Sequence, residues 1–229
     1  MLQLKEGLQD FAKGLLRIAP DVINGLQPIE FSGTITVVED VKSLQMFTER
    51  MANVSRVGFD TESRPAFIKG QHFPVSIIQI SLEDEVFILK LKKLGLNKEI
   101  KSMLSNPGIE KIGVGVGDDI KRLQESGFFK PAGFTDLAEI AKKKGLIQCG
   151  ARALTARYLG RKLVKSSQTT NWARSRLTER QLTYAATDAW VCLHLIKPLI
   201  EDDTDYFALR EAEEAQKQAE KEADGGTVK

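Results

Sequence analysis

"RVGFDTESRP", residues 56–65, sets a strand-like apolar run directly against two acids. Val57-Gly58-Phe59 is the kind of segment that crosses the middle of a sheet. Asp60 and Glu62 follow at once, and Pro65 closes the run. In a strand, residues i and i+2 point to one face, so two carboxylates sit side by side where burial should begin. Like charges held that close repel. Something else in the chain must make the pair tolerable.

The pattern on either side predicts an α/β fold. "TITVVED" (34–40) alternates as a strand does, and Asp40 suits the N-cap of a helix over 41–53. Strands are expected at 56–61, 75–82 and 85–91, with Glu83-Asp84 making a tight antiparallel turn between the last two. Helix and strand then alternate: helix 97–105, strand 110–115, helix 119–126, strand 133–136, helices 137–144 and 151–159. A long helix over 178–200 opens at Thr178 as N-cap. A meander followed by crossover units gives a central mixed β-sheet flanked by α-helices.

Three segments follow from this reading. Residues 1–33 form an N-terminal helical extension, because Leu4, Leu8, Phe11, Leu15 and Ile18 recur at helical spacing. Residues 34–200 form the main domain. Residues 201–229 form a polar helical tail, expected to be an exposed appendage that frays toward Gly225-Gly226, and deleting 206–229 is expected to preserve activity.

Composition narrows the function classes. The chain has 229 residues, 42% hydrophobic and 28% charged, as an ordinary globular protein does. No run approaches a membrane span, and the first residues lack the continuous apolar core of a secretory signal. A cytoplasmic location is expected. Organellar targeting stays open, although Glu6 and Asp10 count against it. Cys149 and Cys192 are isolated, which gives no thiolate metal site. The net charge of +2 conceals an acidic tail: residues 201–229 carry ten acids and four bases, leaving 29 bases against 21 acids in residues 1–200. A basic body permits a polyanionic partner without requiring one.

Other acids also interrupt apolar pattern. "KIGVGVGDDIKRL" ends a strand and starts a helix with Asp118 and Asp119, and "YAATDAWVCLHLI" places Asp188 on the apolar side of the long helix, one turn from Tyr184. Taken singly, Asp119 could cap its helix, Asp188 could pair with an arginine, and Glu62 could face solvent. Converging on one spot, these acids need positive charge. Hard divalent cations prefer carboxylate oxygen, and His72 and His194 are too few for a histidine-built site.

"FDTE" at 59–62, Asp119 within "VGVGDDIKRL" and "YAATD" at 184–188 resemble the three motifs of the DEDD 3'-5' exonucleases. The match is to the tyrosine-bearing subgroup, which includes ribonuclease D, the proofreading domain of family A polymerases and the Werner-type exonuclease domain. It covers roughly residues 34–200 and extends through "KSSQTTNWARSRLTERQLTYAATDA". The resemblance implies a ribonuclease-H-like fold and two Mg2+ or Mn2+ ions that act on the 3' ends of DNA or RNA. It implies that Asp60, Glu62 and Asp188 hold one metal, with Asp60 bridging to the second. Asp119 supports that second ion, and Tyr184 orients the attacking water. Asp119 is preferred over Asp118 because "IKRL" follows it in the family register.

The same resemblance suggests nucleic-acid contacts at Phe67, Lys165, Gln168 and Arg174, with packing under its own loop the alternative for Phe67. Trp172 reads as core, and Lys142-Lys143-Lys144 as a solvated helix end. Two rival readings stand beside this one. The fold could serve a non-catalytic nucleic-acid-binding domain, against which the four acids and the tyrosine are intact. The "GVGVG" turn at 113–117, with Asp136 about twenty residues on, could be a dinucleotide-binding fingerprint. Its spacing is wrong, and Asp118-Asp119 would place anions where a pyrophosphate should sit.

Overall fold

The computed structural model describes residues 16–66, 68, 70–164 and 170–225. Six strands form one sheet: β1 (Thr34–Val38), β2 (Arg56–Ser63), β3 (Val75–Ser81), β4 (Glu85–Lys90), β5 (Glu110–Gly113) and β6 (Phe134–Asp136). Their order is β1-β4-β3-β2-β5-β6. The β2–β3 and β3–β4 pairs are antiparallel, and β1–β4, β2–β5 and β5–β6 are parallel. The helices are α1 (Pro20–Gly25), α2 (Val41–Met51), α3 (Leu91–Leu94), α4 (Lys98–Leu104), α5 (Val116–Ser126), α6 (Leu137–Lys143), α7 (Ala151–Leu159), α8 (Glu179–Glu201) and α9 (Tyr206–Gly225). The expected α/β class and mixed sheet are both present.

Local chemistry explains most boundaries. The Asp40 side chain accepts from Ser43 N at 2.8 Å, and Ser43 Oγ accepts from the Asp40 amide, so β1 stops short of 40 and α2 starts. Thr178 and Gln181 form the same reciprocal cap on α8. Leu82 N donates to Glu85 O at 2.7 Å, closing the hairpin at Glu83-Asp84. The helix expected over 119–126 starts earlier, at Val116. Gly115 adopts φ 77°, a left-handed value that glycine tolerates, and turns the chain out of β5. Asp118 and Asp119 therefore lie in the first turn of α5 and not at its cap. Asp136 Oδ1 accepts from Gly115 N and from Ala138 N, both at 2.9 Å. The glycine turn and its acid are thus occupied in closing β5 and capping α6, which disposes of the dinucleotide reading.

Two cores sandwich the sheet. On one face Val57, Phe59, Ile78 and Ile80 meet Phe47, Met51, Ile100, Leu104 and Leu123 of α2, α4 and α5. On the other face α8 lies across the middle strands, with Ala185, Ala186 and Ala189 fully buried. Small residues let its backbone come close. A Cβ on Gly58 would stand 2.1 Å from Ala189 O and 2.3 Å from Ser81 Oγ. Glycine at 58 is a steric requirement of this contact.

Both flanks pack against the proposed 34–200 domain at their roots. Leu16 and Phe31 are buried, and Arg17 pairs with Glu213 of α9 at 3.0 Å. The tail is not an appendage at its first turn. Tyr206 is 2% exposed, and its hydroxyl and that of Tyr158 each donate to Asp202 Oδ2 at 2.7 Å. Partial burial opposes ionisation of Asp202, but the hydrogen bonds from Tyr206, Thr204 and Tyr158 hold its pKa down at about 2. Lys144, expected as a solvated helix end, donates to the Ile200 and Asp202 carbonyls. Residues 1–15 and 226–229, where the first helix and the fraying end were expected, fall outside the described residues. Among those described, no helix is long and apolar enough to cross a membrane.

Two stability predictions follow. Gly58→Ala should destabilise the chain by about 2 kcal/mol or more, because backbone and not a flexible side chain must move. Urea denaturation checks this, and a change under about 0.5 kcal/mol would contradict the contact. Deleting 216–229 should leave the melting temperature nearly unchanged, whereas deleting 206–229 removes Tyr206 and should cost about 3 kcal/mol, as truncating a buried aromatic does. Equal melting temperatures for the two truncations would show that the first turns of α9 hold nothing together.

Candidate active site

Asp60 and Glu62 both lie within β2, which runs two residues further than expected and ends at an irregularity between Glu62 and Ser63. Their side chains share the face that α8 covers. Because α8 touches the β2 backbone at Gly58, Asp188 on that helix is delivered to the same place. One ligand oxygen from each of Asp60, Glu62 and Asp188 lies within 4.8 Å of the others. No lysine or arginine bonds any of the three among the described residues. They line a cleft of about 510 Å3 together with Tyr184, Arg152 and Cys192.

This crowding has a large electrostatic cost. Burial, then the neighbouring acids Asp188, Asp119 and Glu62, raises the Asp60 pKa well above the carboxylate range. Burial and the charges of Asp188 and Asp119 bring Glu62 up to about 8, with Arg122 pulling weakly the other way. Burial lifts Asp188 to about 7, against a hydrogen bond from Tyr184 that lowers it. The Tyr184 phenol is itself pushed upward by burial and by Asp188, so it stays protonated at neutral pH. A buried carboxylate cluster without a cation relieves repulsion by holding protons.

Asp119 stands apart from the three. It sits in the first turn of α5, where Thr61 Oγ1 donates to its Oδ1 at 2.5 Å. Thr61 alternates with Asp60 and Glu62 along β2, so it reaches α5 on the opposite face of the sheet. Burial raises the Asp119 pKa to about 6, opposed by the Thr61 bond and by Arg122. Asp118 is solvated and pairs with Lys121 at 3.1 Å.

The other sequence candidates fall elsewhere. Phe67, Lys165 and Gln168 lie outside the described residues. Arg174 is exposed and lines a separate small pocket. Trp172 is buried against Tyr184, ring centroids 5.9 Å apart. His194 stacks edge-on with Trp190 and sits 4.0 Å from Glu83. Sequence reasoning passed over Thr61, Arg122, Arg152 and Cys192. Arg122 could have been found, because it follows Asp119 by three residues on a helix. The Arg152 guanidinium donates to Asn24 Oδ1, and no local pattern marks it.

The sequence profile of a 3'-5' exonuclease family matches residues 35–202, which include every acid of the site. The chain belongs to the 3'-5' exonuclease family. It is 30% identical over 200 residues to the mouse bifunctional 3'-5' exonuclease/ATP-dependent helicase WRN, covering 81% of this chain and 14% of that protein. A 3'-5' exonuclease of Arabidopsis thaliana is 30% identical over 184 residues, covering 75% and 63%. The chain thus spans less than two thirds of these curated relatives. Among solved structures, the Aedes aegypti Nibbler EXO domain superposes with a TM-score of 0.65 at 22% identity, covering 78% of this chain and 94% of that one. Escherichia coli RNase D gives 0.64 at 21%, covering 81% and 50%. At such identities the likeness establishes the fold, and it is the ribonuclease-H-like α/β fold.

The raised carboxylates fix a pH dependence for this exonuclease-family chain. An acid whose folded pKa exceeds its unfolded value contributes fully below the unfolded value, and that contribution is lost as pH rises to the folded one. For Glu62 the window runs from 4.5 to about 8, and for Asp188 from 3.8 to about 7. In EDTA the melting temperature should therefore fall between pH 5 and 8, and Asp60→Asn should flatten that fall by removing one repelling charge. A parent chain and variant with parallel curves would show that the acids do not repel.

Proposed function

We propose that the chain is a metal-dependent 3'-5' exonuclease that hydrolyses phosphodiester bonds of DNA or RNA from the 3' end. The observation that carries this reading is the convergence of Asp60, Glu62 and Asp188 within 4.8 Å, with burial raising all three pKa values and mutual repulsion adding to the rise at Asp60 and at Glu62, despite Arg122 near the latter. An all-carboxylate oxygen set fits hard cations such as Mg2+ or Mn2+. Two such ions, when bound, would lower the pKa of water and offset charge on the leaving oxygen.

The chain's own residues divide the remaining work. Asp60, Glu62 and Asp188 would hold the cation, and Asp60 would serve both ions. Asp119, fixed by Thr61, would support a second ion. Tyr184 cannot serve as general base, because its phenol is protonated at neutral pH. Its hydroxyl can instead hydrogen-bond the attacking water and set its direction, as Asp188 holds the phenol in place. Positioning of this kind is worth up to about a hundredfold in rate.

Digestion of matched 3'- and 5'-labelled RNA and DNA oligonucleotides tests the proposal. Cleavage should start at the 3' end and stop in EDTA; activity that survives EDTA or begins at the 5' end would overturn it. Asp60→Asn should abolish turnover while leaving the far-ultraviolet circular dichroism unchanged, and near-parental turnover in that variant would mean the site is misplaced. Tyr184→Phe should lower kcat by about tenfold to a hundredfold with KM and melting temperature nearly unchanged. Full activity would leave the tyrosine as packing alone.

A further inference from the structure

The carboxylate cleft accounts for one end of a substrate, but a polynucleotide continues past it. The registers across the sheet show where cations wait. Glu62 pairs with Ile77 of β3, and Ile77 pairs with Lys90 of β4, so these three residues lie in one row. Lys90 therefore stands two strands from Glu62, about 10 Å away at the usual interstrand spacing. Its side chain is buried and committed: Nζ pairs with Glu39 at 2.9 Å and also donates to the Ser175 carbonyl. That second bond ties the 173–175 segment to the sheet and brings Arg174 over the start of α3.

A pocket of about 130 Å3 opens there, lined by Lys90, Lys92, Lys93, Arg174, Ser76 and Trp172 among others. Its lining holds no carboxylate. Lys92, Lys93 and Arg174 are exposed and make no ion pair or hydrogen bond with the described residues. Trp172 is 1% exposed, and its indole N–H has no acceptor there. Trp172 lines this pocket and packs on Tyr184, which lines the catalytic cleft, with ring centroids 5.9 Å apart. Three cations unpaired among the described residues, near a carboxylate site, are complementary to an anion that runs on from it.

We infer that the pocket beside Lys92, Lys93 and Arg174 is a phosphate subsite for the strand being degraded, engaging it on the 5' side of the scissile bond. This rests on the exonuclease reading above, which puts the 3' end among Asp60, Glu62 and Asp188. About 10 Å corresponds to roughly three nucleotides of stacked strand at 3.4 Å each. Lys92 and Lys93 would neutralise phosphates as point charges, and the planar Arg174 guanidinium would donate to two phosphate oxygens at once. Such contacts carry no sequence information and fix only the path of the strand.

The test is fluorescence anisotropy with 5'-labelled oligonucleotides, in Mg2+ and in the Asp60→Asn background so that the ligand stays intact. Introducing Lys92→Ala and Lys93→Ala together should weaken octanucleotide binding about tenfold and reduce the slope of log K against log salt by about two. A dinucleotide, too short to reach the pocket, should bind with and without these changes alike. Lys197→Ala, about 20 Å along α8 from Tyr184, controls for general charge and should change octanucleotide binding less than twofold. An octanucleotide affinity unaltered by the double change, or altered no more than by Lys197→Ala, overturns the subsite. Failure of the subsite is separable from failure of the parent reading, because unaltered Asp60 chain that does not shorten the octanucleotide from its 3' end removes the exonuclease proposal itself.

Discussion

The contact between Gly58 of β2 and the carbonyl of Ala189 on α8 sets the rest of the molecule. Any side chain at 58 would drive the helix off the sheet, since even a methyl carbon would stand 2.1 Å from that carbonyl. The alanines at 185, 186 and 189 extend the same close approach along the helix. With the two backbones so near, the residue before Ala189 has nowhere to go except beside Asp60 and Glu62. Dense packing of small residues thus brings the carboxylates together, and a bound cation would offset the repulsion it creates. Packing on the other faces of α8, by Val191, Leu195 and Leu199, holds the helix in place against that repulsion.

The two faces of the sheet divide the acids between them. Asp60, Glu62 and Asp188 lie under α8, while Asp119 rises from α5 and is gripped by Thr61 on the reverse side of β2. One strand therefore organises both groups through the alternation of its side chains. This arrangement explains why Asp119 titrates lower than Glu62 although both are substantially buried: Asp119 accepts a hydrogen bond and has Arg122 near, whereas Glu62 has the arginine alone.

Much of this was legible in the sequence because its signals are local. The i, i+2 acids of "FDTE", the one-turn spacing of Tyr184 and Asp188, the Asp40 and Thr178 caps and the Glu83-Asp84 hairpin each depend on residues a few positions apart. What escaped depends on distant partners. The tail looked dispensable because it shows no apolar stripe and holds no motif, yet the Tyr206 hydroxyl shares Asp202 with Tyr158 and its ring lies near Arg157. The start of α5 was misplaced because Asp119 looked like a cap, when the left-handed Gly115 had already turned the chain. Thr61 went unnoticed because only the crossover through β5 brings α5 alongside β2. Arg152 and Asn24 lie 128 residues apart in the chain, and no periodicity announces such a pair.

The central claim is that these carboxylates are held together for a cation and carry protons without one. Metal binding at pH 7 must then displace protons, since Glu62 titrates near 8 and Asp188 near 7. Calorimetric titration of Mn2+ into the metal-free chain, in two buffers of different ionisation enthalpy, counts them. The account predicts saturable binding with release of about one proton or more per chain, diminishing as the pH is raised to 9. Saturable binding without proton release, or no binding at millimolar Mn2+, would contradict it.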